Sequence, residues 1–440
     1  MLRWTAVRRV LAVSALPGLA VLGVPGTGSA ASDKLALHPV TARAETASSF
    51  DDAAGGDADA DDPAIWVSPT EPAQSVVLGT LKNGGLTVFD LAGRTLQHVS
   101  TPPAPGEGLE AGRFNNVDIL QRVAWGNGTA DIAVVTDRGR DRLRFYLIDP
   151  RGSAAGDAVL RDVTAPDVPR LFSATEADVE GQRTGYGLAL RAAPGGGLPY
   201  AVVSRRHETR IGLFALRAVG GLLTYAPAAS VDLPARFAVA GGTWSPCQDP
   251  GERPQVEGMV VDGETDTLYA AQEDVGVWRV PLSASGFGKP KLVEKTRSFG
   301  LEAEFDEETE ECVPTGGGTP AAGAVLEADA EGLTIARSAG GRDLLLASSQ
   351  GDSTFAVFAL RHASPRLVGR VEVTDGTVDG VQHSDGAAVT TTPLGPAFPN
   401  GMLVVHDGEN TPRTVDAEGD ERTDTNFKLV DWQDVQMTLR

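Results

Sequence analysis

Short apolar stretches recur along the chain in pairs, and a few polar residues separate the two members of each pair. The stretches are rich in β-branched and aromatic residues and are bounded by Gly, Asp, Asn and Pro, which is typical of β-hairpins. The six pairs are 76–80 with 86–89, 132–135 with 143–147, 201–203 with 211–214, 267–270 with 276–280, 344–347 with 354–358, and 402–405 with 427–430. Long helical periodicity is absent, so the pattern predicts an all-β chain built on one repeated unit.

A further apolar stretch precedes each hairpin and begins with polar residues. These six stretches are 61–66, 115–120, 185–190, 256–261, 330–335 and 384–389. A repeat of several short strands that cannot bury both faces alone is typical of a β-propeller. We therefore predict a single-domain, six-bladed β-propeller over residues 51–440, preceded by an N-terminal extension over residues 31–50.

Carboxylates stand at or near the start of five of these six stretches, and the remaining one carries Tyr186. The acids are Asp61 or Asp62, Asp118, Glu257, Glu331 and Asp385, with Asp329 and Glu273 as possible neighbours. In a propeller equivalent positions form a ring around the central channel, and acids gathered there need a counter-charge. Oxygen ligands without His or Cys favour calcium. The alternative is that each acid caps a strand end and faces water.

A basic set occupies the turns of the first three hairpins. Its members are Lys82, Arg138, Arg205 and Arg206. Since the turns are equivalent, these side chains should lie at one face of the molecule. Any one of them could be an ordinary solvated turn residue. Together, beside a predicted calcium ring, they indicate binding of an anion such as phosphate, which arginine can hold through two oxygens.

The first thirty residues begin with basic side chains, continue with an apolar run over 10–24 and end with Gly-Ser-Ala. This order predicts a signal peptide over residues 1–30 and a secreted, extracellular protein, exported by the Sec route or, given Arg8-Arg9, by the twin-arginine route. The net charge of −21 becomes −24 without Arg3, Arg8 and Arg9 (−21 − 3). So acidic a chain is a poor partner for nucleic acid or an anionic membrane.

Two cysteines are present, Cys247 and Cys312, and each lies in an insertion between the repeats, 241–253 and 302–323. In a secreted chain two cysteines predict a disulfide rather than a reactive pair.

Several motifs run in one order through the mature chain. They are Asp-Asp-Pro-Ala-Ile-Trp at 61–66, Asn-Asn-Val-Asp at 115–118, Glu-Gly-Met at 257–259, Glu-Gly-Leu-Thr at 331–334, Leu-Leu-Ala-Ser-Ser-Gln-Gly at 345–351, Asp-Gly-Glu-Asn at 407–410 and Asn-Phe-Lys at 426–428. In these motifs the chain resembles the β-propeller phytases, the alkaline calcium-dependent phytases of bacilli and other bacteria.

The resemblance implies a phosphoric monoester hydrolase of the 3-phytase type, which acts on phytate or other inositol phosphates with several calcium ions, structural and catalytic. It implies phosphate contacts from Lys82, Arg138 and Tyr186. It assigns the cleavage site and its calcium ions to Glu257, Glu273, Asp329 and Glu331, and further calcium ligands to Asp61 or Asp62 and Asp385. Where the bacillar pattern has Lys-Glu, this chain has Arg205-Arg206-His207, so Arg206 replaces the lysine unless the alignment is shifted by one residue.

The expected reaction is direct attack of water on phosphorus by a monomeric enzyme, without a covalent intermediate. The Arg-His-Gly core of the histidine phosphatases is absent. Two alternatives remain open at this point: another calcium-dependent propeller hydrolase, such as a lactonase or esterase, and a non-catalytic calcium-binding propeller.

Overall fold

Strands make up almost all regular structure in the computed structural model. It describes residues 36–439 apart from 150–151, 153–157, 194, 310, 317–322, 339, 341–342 and 361–363. The predicted signal peptide, residues 1–30, lies outside the described residues. The helices within them are short: α1 (Glu176–Glu180), α2 (Trp432–Thr438) and single 3₁₀ turns at Pro72–Gln74 and Gln350–Asp352. Among the described residues we find no helix whose length and apolar character would suit it to span a bilayer.

Thirty strands follow one another along the described chain. The first fourteen are β1 (Leu37–Glu45), β2 (Ser49–Phe50), β3 (Pro63–Trp66), β4 (Val76–Thr80), β5 (Leu86–Phe89), β6 (Thr95–Val99), β7 (Phe114–Trp125), β8 (Gly128–Asp137), β9 (Arg142–Ile148), β10 (Leu160–Asp162), β11 (Gly185–Arg191), β12 (Tyr200–Arg205), β13 (Arg210–Val219) and β14 (Leu222–Asp232). The others are β15 (Phe237–Val239), β16 (Gly242–Trp244), β17 (Val256–Asp262), β18 (Thr267–Gln272), β19 (Gly276–Ser283), β20 (Gly286–Phe287), β21 (Lys291–Leu292), β22 (Ala303–Asp306), β23 (Glu311–Pro314), β24 (Ala330–Ala336), β25 (Leu344–Ser349), β26 (Thr354–Ala359), β27 (Arg366–Thr374), β28 (Ala387–Thr390), β29 (Met402–Asp407) and β30 (Asp424–Asp431). The all-β prediction is confirmed.

Consecutive strands pair antiparallel, so each local stretch of chain forms its own sheet. The orders are β3-β4-β5-β6, β7-β8-β9-β10, β11-β12-β13-β14, and β17-β18-β19-β20 with β21 also on β19. A nine-stranded sheet has the order β24-β25-β26-β27-β1-β30-β29-β28, with β2 on β30. Each predicted hairpin coincides with two paired strands, as β4 and β5 do for 76–80 and 86–89.

The strand that opens each set contacts the opening strand of the next set. These six strands, called the leading strands below, are β3, β7, β11, β17, β24 and β28. Each contacts its successor, and β28 contacts β3 again, so the leading strands form a closed cycle. Residues at equivalent places on the leading strands are therefore neighbours.

Six apolar clusters among the described residues hold neighbouring sets together. Each cluster combines side chains of two successive sets, and the sixth joins the β28–β30 set to the β3–β6 set. Trp66 illustrates the packing: it is fully buried between the β3–β6 and β7–β10 sets. Burial of apolar surface at about 25 cal/mol per Å² makes such interfaces the main source of stability.

The N-terminal strand β1 lies between two sets. It pairs parallel with β27 and antiparallel with β30, so it joins the start of the chain to its end. Residues 37–45, part of the predicted N-terminal extension, thus supply a strand to the nine-stranded sheet.

The two insertions form the small sheets β15–β16 and β22–β23. A disulfide joins Cys247 to Cys312 across them, with the Cα atoms 5.9 Å apart. The predicted disulfide is confirmed.

Candidate functional site

The leading strands begin at equivalent residues, which the hydrogen bonds identify. The backbone N–H of Asp62 donates to Thr80 Oγ1 at 3.1 Å, and that of Asn116 donates to Thr136 Oγ1 at 2.9 Å. The preceding residues are therefore equivalent. On four of the other leading strands a glycine approaches the carbonyl of the matching residue on the next strand, which extends the equivalence, and we call the six residues at this place the ring. They are Asp61, Asn115, Tyr186, Glu257, Glu331 and Asp385.

Close packing of the leading strands brings the ring residues together. A Cβ on Gly258 would lie 2.1 Å from Glu331 O, and a Cβ on Gly332 would lie 2.5 Å from Asp385 O. Any larger residue would push the neighbouring backbone away. The Glu-Gly pairs in the sequence thus have a local function, since the glycine lets the next acid approach.

Glu257 and Glu331 of the ring meet Glu273, which follows strand β18. One carboxylate oxygen from each of the three lies within 4.8 Å of the others, and we call this the glutamate cluster. The three residues are only 6%, 8% and 3% exposed for Glu257, Glu273 and Glu331. Glu273 Oε1 and Glu331 Oε2 have no hydrogen-bond partner. Three buried carboxylates, two of which present an unpartnered oxygen, fit a calcium ion, which binds six to eight oxygens.

Burial and mutual repulsion raise the pKa values of these carboxyl groups. Burial raises the pKa of Glu331 well above its usual value, and the charges of Glu257 and Glu273 raise it further. Burial and Asp329 raise the pKa of Glu273 in the same way. Asp61 shares this environment, because burial raises its pKa although Lys82 acts in the opposite direction. A divalent cation would relieve the repulsion.

Two arginines and a tyrosine lie beside the glutamate cluster. Tyr186 Oη donates to Glu257 Oε2 at 2.6 Å. The guanidinium groups of Arg138 and Arg206 lie 5.6 and 5.8 Å from the centre of the Tyr186 ring. Cationic and acidic groups therefore share one site, as a phosphate bound to a metal ion requires.

Arg206, and not Arg205, is the equivalent of the other basic residues. Lys82 and Arg138 each follow by two residues the threonine that accepts a leading-strand N–H, and Arg206 follows Ser204 in the same way. Arg205 Nε instead donates to Arg183 O at 2.9 Å. The structure thus removes the ambiguity in the sequence alignment.

Lys82 lies near Asp385 of the ring. Its Nζ contacts Asp59 Oδ2 at 2.6 Å and lies 3.9 Å from Asp385 Oδ2. Burial alone would lower the pKa of Lys82, but Asp59 and Asp61 raise it above its usual value. Burial acts to raise the pKa of Asp59, but Lys82, together with His406 and Thr425, lowers it to about 2.

Asp118 is not a ring residue, which corrects the predicted register. It lies three residues beyond Asn115, and its oxygens accept from the backbone N–H groups of Ile119 and Leu190 at 2.7 Å. Asp118 and Asp62 line a cavity of about 220 Å³ enclosed by the leading strands. Burial raises the pKa of Asp118 to about 6.

A larger cavity of about 790 Å³ opens beside the ring. Asp59, Asp329 and Asp385 line it, and the disulfide Cys247–Cys312 forms part of another wall. This cavity brings Asp329 to the site as predicted from its position next to Glu331 in sequence. The confirmed disulfide thus shapes the entrance to the ring.

The sequence analysis missed three residues that donate to these acids, Asn115, Gln255 and Gln350, and also Asp59, which pairs with Lys82. Asn115 could have been found, because its motif at 115–118 was noted and it precedes its strand as Glu257 does. Gln350 also lies within a quoted motif, 345–351, whereas Asp59 and Gln255 lie just outside the quoted motifs.

Acids gathered for a cation, next to arginines suited to phosphate, define a class of protein that acts on phosphorylated compounds. The comparisons agree. The model of the phytase family matches residues 8–209 and 311–440. The 3-phytase of Bacillus subtilis strain 168 is 31% identical over 404 residues, which cover 91% of this chain and 85% of that relative. The chain belongs to the phytase family and is a phosphoric monoester hydrolase, as predicted.

Solved structures match at lower identity. Regucalcin, a calcium-binding protein from Agrobacterium tumefaciens strain C58, is 14% identical with a TM-score of 0.42, covering 90% of this chain and 97% of its own. The β-propeller domain of Cps50 (Swd1) from Myceliophteria thermophila is 11% identical with a TM-score of 0.37, covering 84% and 82%. At these TM-scores neither likeness bears on what this chain does.

Proposed function

We propose that this protein is a secreted, calcium-dependent phytase that releases phosphate from phytate and leaves lower inositol phosphates. The observation that carries the proposal is the glutamate cluster, with its unpartnered oxygens, beside Arg138 and Arg206. Family membership favours a phosphatase over the lactonase, esterase and non-catalytic alternatives. The relative from Bacillus subtilis bears the name 3-phytase, which supports phytate as the substrate.

The fold that we propose is a six-bladed propeller. The closed cycle of six leading strands and the apolar clusters between successive sets support it. In this arrangement β1 completes the blade formed by β28–β30, since it pairs with β30.

The glutamate cluster would hold calcium, with Asp61, Asp329 and Asp385 as further ligands. Asp62 and Asp118, which line the cavity of about 220 Å³, would be available as ligands there. Bound calcium supplies positive charge that attracts a phosphate group and makes water more acidic. Arg138, Arg206 and Lys82 bind the phosphate oxygens, whose negative charge they stabilise. Tyr186 holds Glu257 in place through its hydroxyl. Carboxylates of the cluster, with Asp329, orient the attacking water and accept its proton.

Phytate suits this site because of its many phosphates. One phosphate can occupy the position between the glutamate cluster and the arginines, while Lys82, near Asp385, is available to a second. The cavity of about 790 Å³ is large enough for an inositol ring with its substituents.

The test is phosphate release from phytate by the mature protein, with calcium and with an excess of chelator. We expect release only with calcium, and less when magnesium replaces it, because Mg²⁺ demands a smaller octahedral site. Simple phosphate esters serve as the comparison for substrate preference. No release between about pH 5 and pH 9 from a folded protein would reject the phytase proposal. N-terminal sequencing of protein recovered from culture medium tests the predicted secretion.

A further inference from the structure

Two carboxamide side chains donate to members of the glutamate cluster. Asn115 Nδ2 donates to Glu257 Oε1 at 2.6 Å. Gln255 Nε2 donates to Glu273 Oε2 at 3.0 Å. Asn115 is fully buried, so its hydrogen bonds do not compete with bulk water. In each pair one carboxylate oxygen is occupied by the amide, which fixes the rotation of the carboxylate.

A third carboxamide does the same for a ring aspartate. Gln350 Nε2 donates to Asp385 Oδ1 at 2.5 Å. Asp385 is one of the charges that raise the pKa of Glu331, so it lies close to the glutamate cluster.

Two of the amides are themselves fixed at the oxygen end. Asn115 Oδ1 accepts from Arg138 Nη1 at 2.8 Å, and Gln255 Oε1 accepts from the backbone N–H of His207 at 2.8 Å. Because both of these partners are donors, the amide oxygen must face them and the NH₂ group must face the carboxylate. The direction of the bonds to the glutamates follows from this chemistry.

An amide differs from lysine or arginine in one decisive respect: it holds a carboxylate without cancelling its charge. Asp59 shows the contrast, since the Lys82 ammonium neutralises it and lowers its pKa to about 2. The amides that hold Glu257 and Glu273 are neutral, so they leave the neutralisation of these carboxylates to a bound cation. That is the arrangement a divalent cation needs.

We propose that Asn115, Gln255 and Gln350 are positioning residues, which orient three carboxylates toward a divalent cation without neutralising them. This inference rests on the calcium dependence proposed above. It adds no ligand to the site, because the amides act on the carboxylates and not on the ion.

The test uses Asn115→Leu, Gln255→Met and Gln350→Met, which keep the size of the side chain and remove its hydrogen bonds. Gln121→Met is the matched control, because Gln121 also bonds backbone and a carboxylate, at Val67 and Asp131, away from the ring. Calcium is titrated calorimetrically into chelator-treated, dialysed protein. We expect calcium affinity to fall by about 10–100-fold in the three variants and to change little in the control.

A second readout separates positioning from general damage. At saturating calcium the KM for phytate should be unchanged in Gln255→Met and Gln350→Met, while the calcium concentration for half-maximal activity rises in step with the calcium Kd. Asn115→Leu should raise the KM as well, because Arg138 loses its acceptor. Unfolding in chelator verifies that each variant is folded.

Unchanged calcium affinity in the folded variants would overturn the proposal. If Asn115→Leu does not fold, Gln255→Met and Gln350→Met decide the question. A wild-type protein that binds calcium but releases no phosphate, with weaker binding in the variants, would keep the positioning roles and reject the phytase proposal. A wild-type protein that binds no calcium would reject the positioning roles.

Discussion

Two of the acidic clusters in the described part of the chain are built differently. One surrounds Lys428 at the junction of β1 and β30, and the other is the glutamate cluster. Lys428 is fully buried, and its Nζ contacts Glu45 at 2.5 Å, Asp407 at 3.2 Å and also Asp379. Its pKa is raised, because these carboxylates outweigh burial. The glutamate cluster has no such lysine, and the charges acting most strongly on Glu331 are all carboxylates.

The difference separates a structural role from a functional one. At Lys428 the chain provides its own cation, and the ion pairs join the first strand to the last strand. In the glutamate cluster the donors are the neutral groups of Asn115, Tyr186 and Gln255, which supports our proposal that the positive charge comes from a bound cation. Acidic clusters of similar composition can therefore be told apart by the group that partners their carboxylates.

The largest expected effect is on turnover when the glutamate cluster loses its charge. Glu257→Gln with Glu331→Gln should lower kcat for phytate by about 10³-fold or more, because calcium loses two ligands. The melting temperature in chelator should not fall, since the change removes repulsion between buried charges. Phosphate release and thermal unfolding measure the two quantities.

Glu264→Gln with Glu418→Gln is the control for that double variant, because both of these glutamates are exposed. It should leave both quantities nearly unchanged. Turnover that survives in the cluster variant would mean that calcium is not held there.

The second largest expected effect is on the free energy of unfolding, through the cluster around Lys428. Lys428→Met should destabilise the protein by about 3–5 kcal/mol, because it leaves buried carboxylates without their cation. Urea unfolding measures this loss, and the calcium concentration for half-maximal activity of the folded enzyme should not change. Lys291→Met, at an exposed lysine, is the control. A stability equal to that of the wild type would contradict the structural role given to Lys428.

A smaller effect distinguishes two neighbouring arginines. Arg206→Ala should lower kcat/KM for phytate by about 10–100-fold, the value of one or two hydrogen bonds to a charged group. Arg205→Ala should change it little, because Arg205 donates to Arg183 O and lies away from Tyr186. Steady-state kinetics on both variants measures the two losses. Equal losses would show that the position two residues after Ser204 does not determine which arginine binds phosphate.

The repeated hairpins could be predicted from sequence because their information is local. Strands β4 and β5 need only two apolar runs and a turn, and they lie where the pattern places them. Glu257 and Glu331 could be found for a similar reason: each is followed by a glycine that the close packing requires. Membership in the family could be inferred from such motifs.

The other site residues depend on strand register and on contacts between distant parts of the chain, which no short sequence pattern predicts. Asp118 and Asn115 are three residues apart on one strand, and only the bond from Asn116 to Thr136 identifies which of them belongs to the ring. Gln350 reaches Asp385 across 35 residues of chain, with nothing periodic to connect the two. The predicted metal roles of Asp62 and Asp118 stay predictions.

The smallest expected effect is a dependence of stability on pH that only the glutamate cluster should show. Burial and neighbouring carboxylates raise the pKa of Glu273 and Glu331 above the usual 4.5 in the folded protein. The folded state therefore holds protons that the unfolded state has released. The stabilising contribution is complete below about pH 4.5 and is lost as the pH rises through the raised values. Lys428 contributes nothing to this trend near neutrality, since its raised pKa lies above the usual 10.5.

In chelator, the unfolding free energy should thus fall as the pH rises above about 4.5, by up to about 1.4 kcal/mol per pH unit for each proton that the folded state retains. Calcium should reverse the trend, because it binds the ionised carboxylates and competes better with protons at higher pH. Other buried acids also titrate in this range, so the quantity to measure is the difference between the wild type and Glu273→Gln with Glu331→Gln. That difference should grow with pH in chelator, with the variant the more stable. A difference that is constant across the range would mean that the cluster is already neutralised without calcium, and the contrast with Lys428 would then fail.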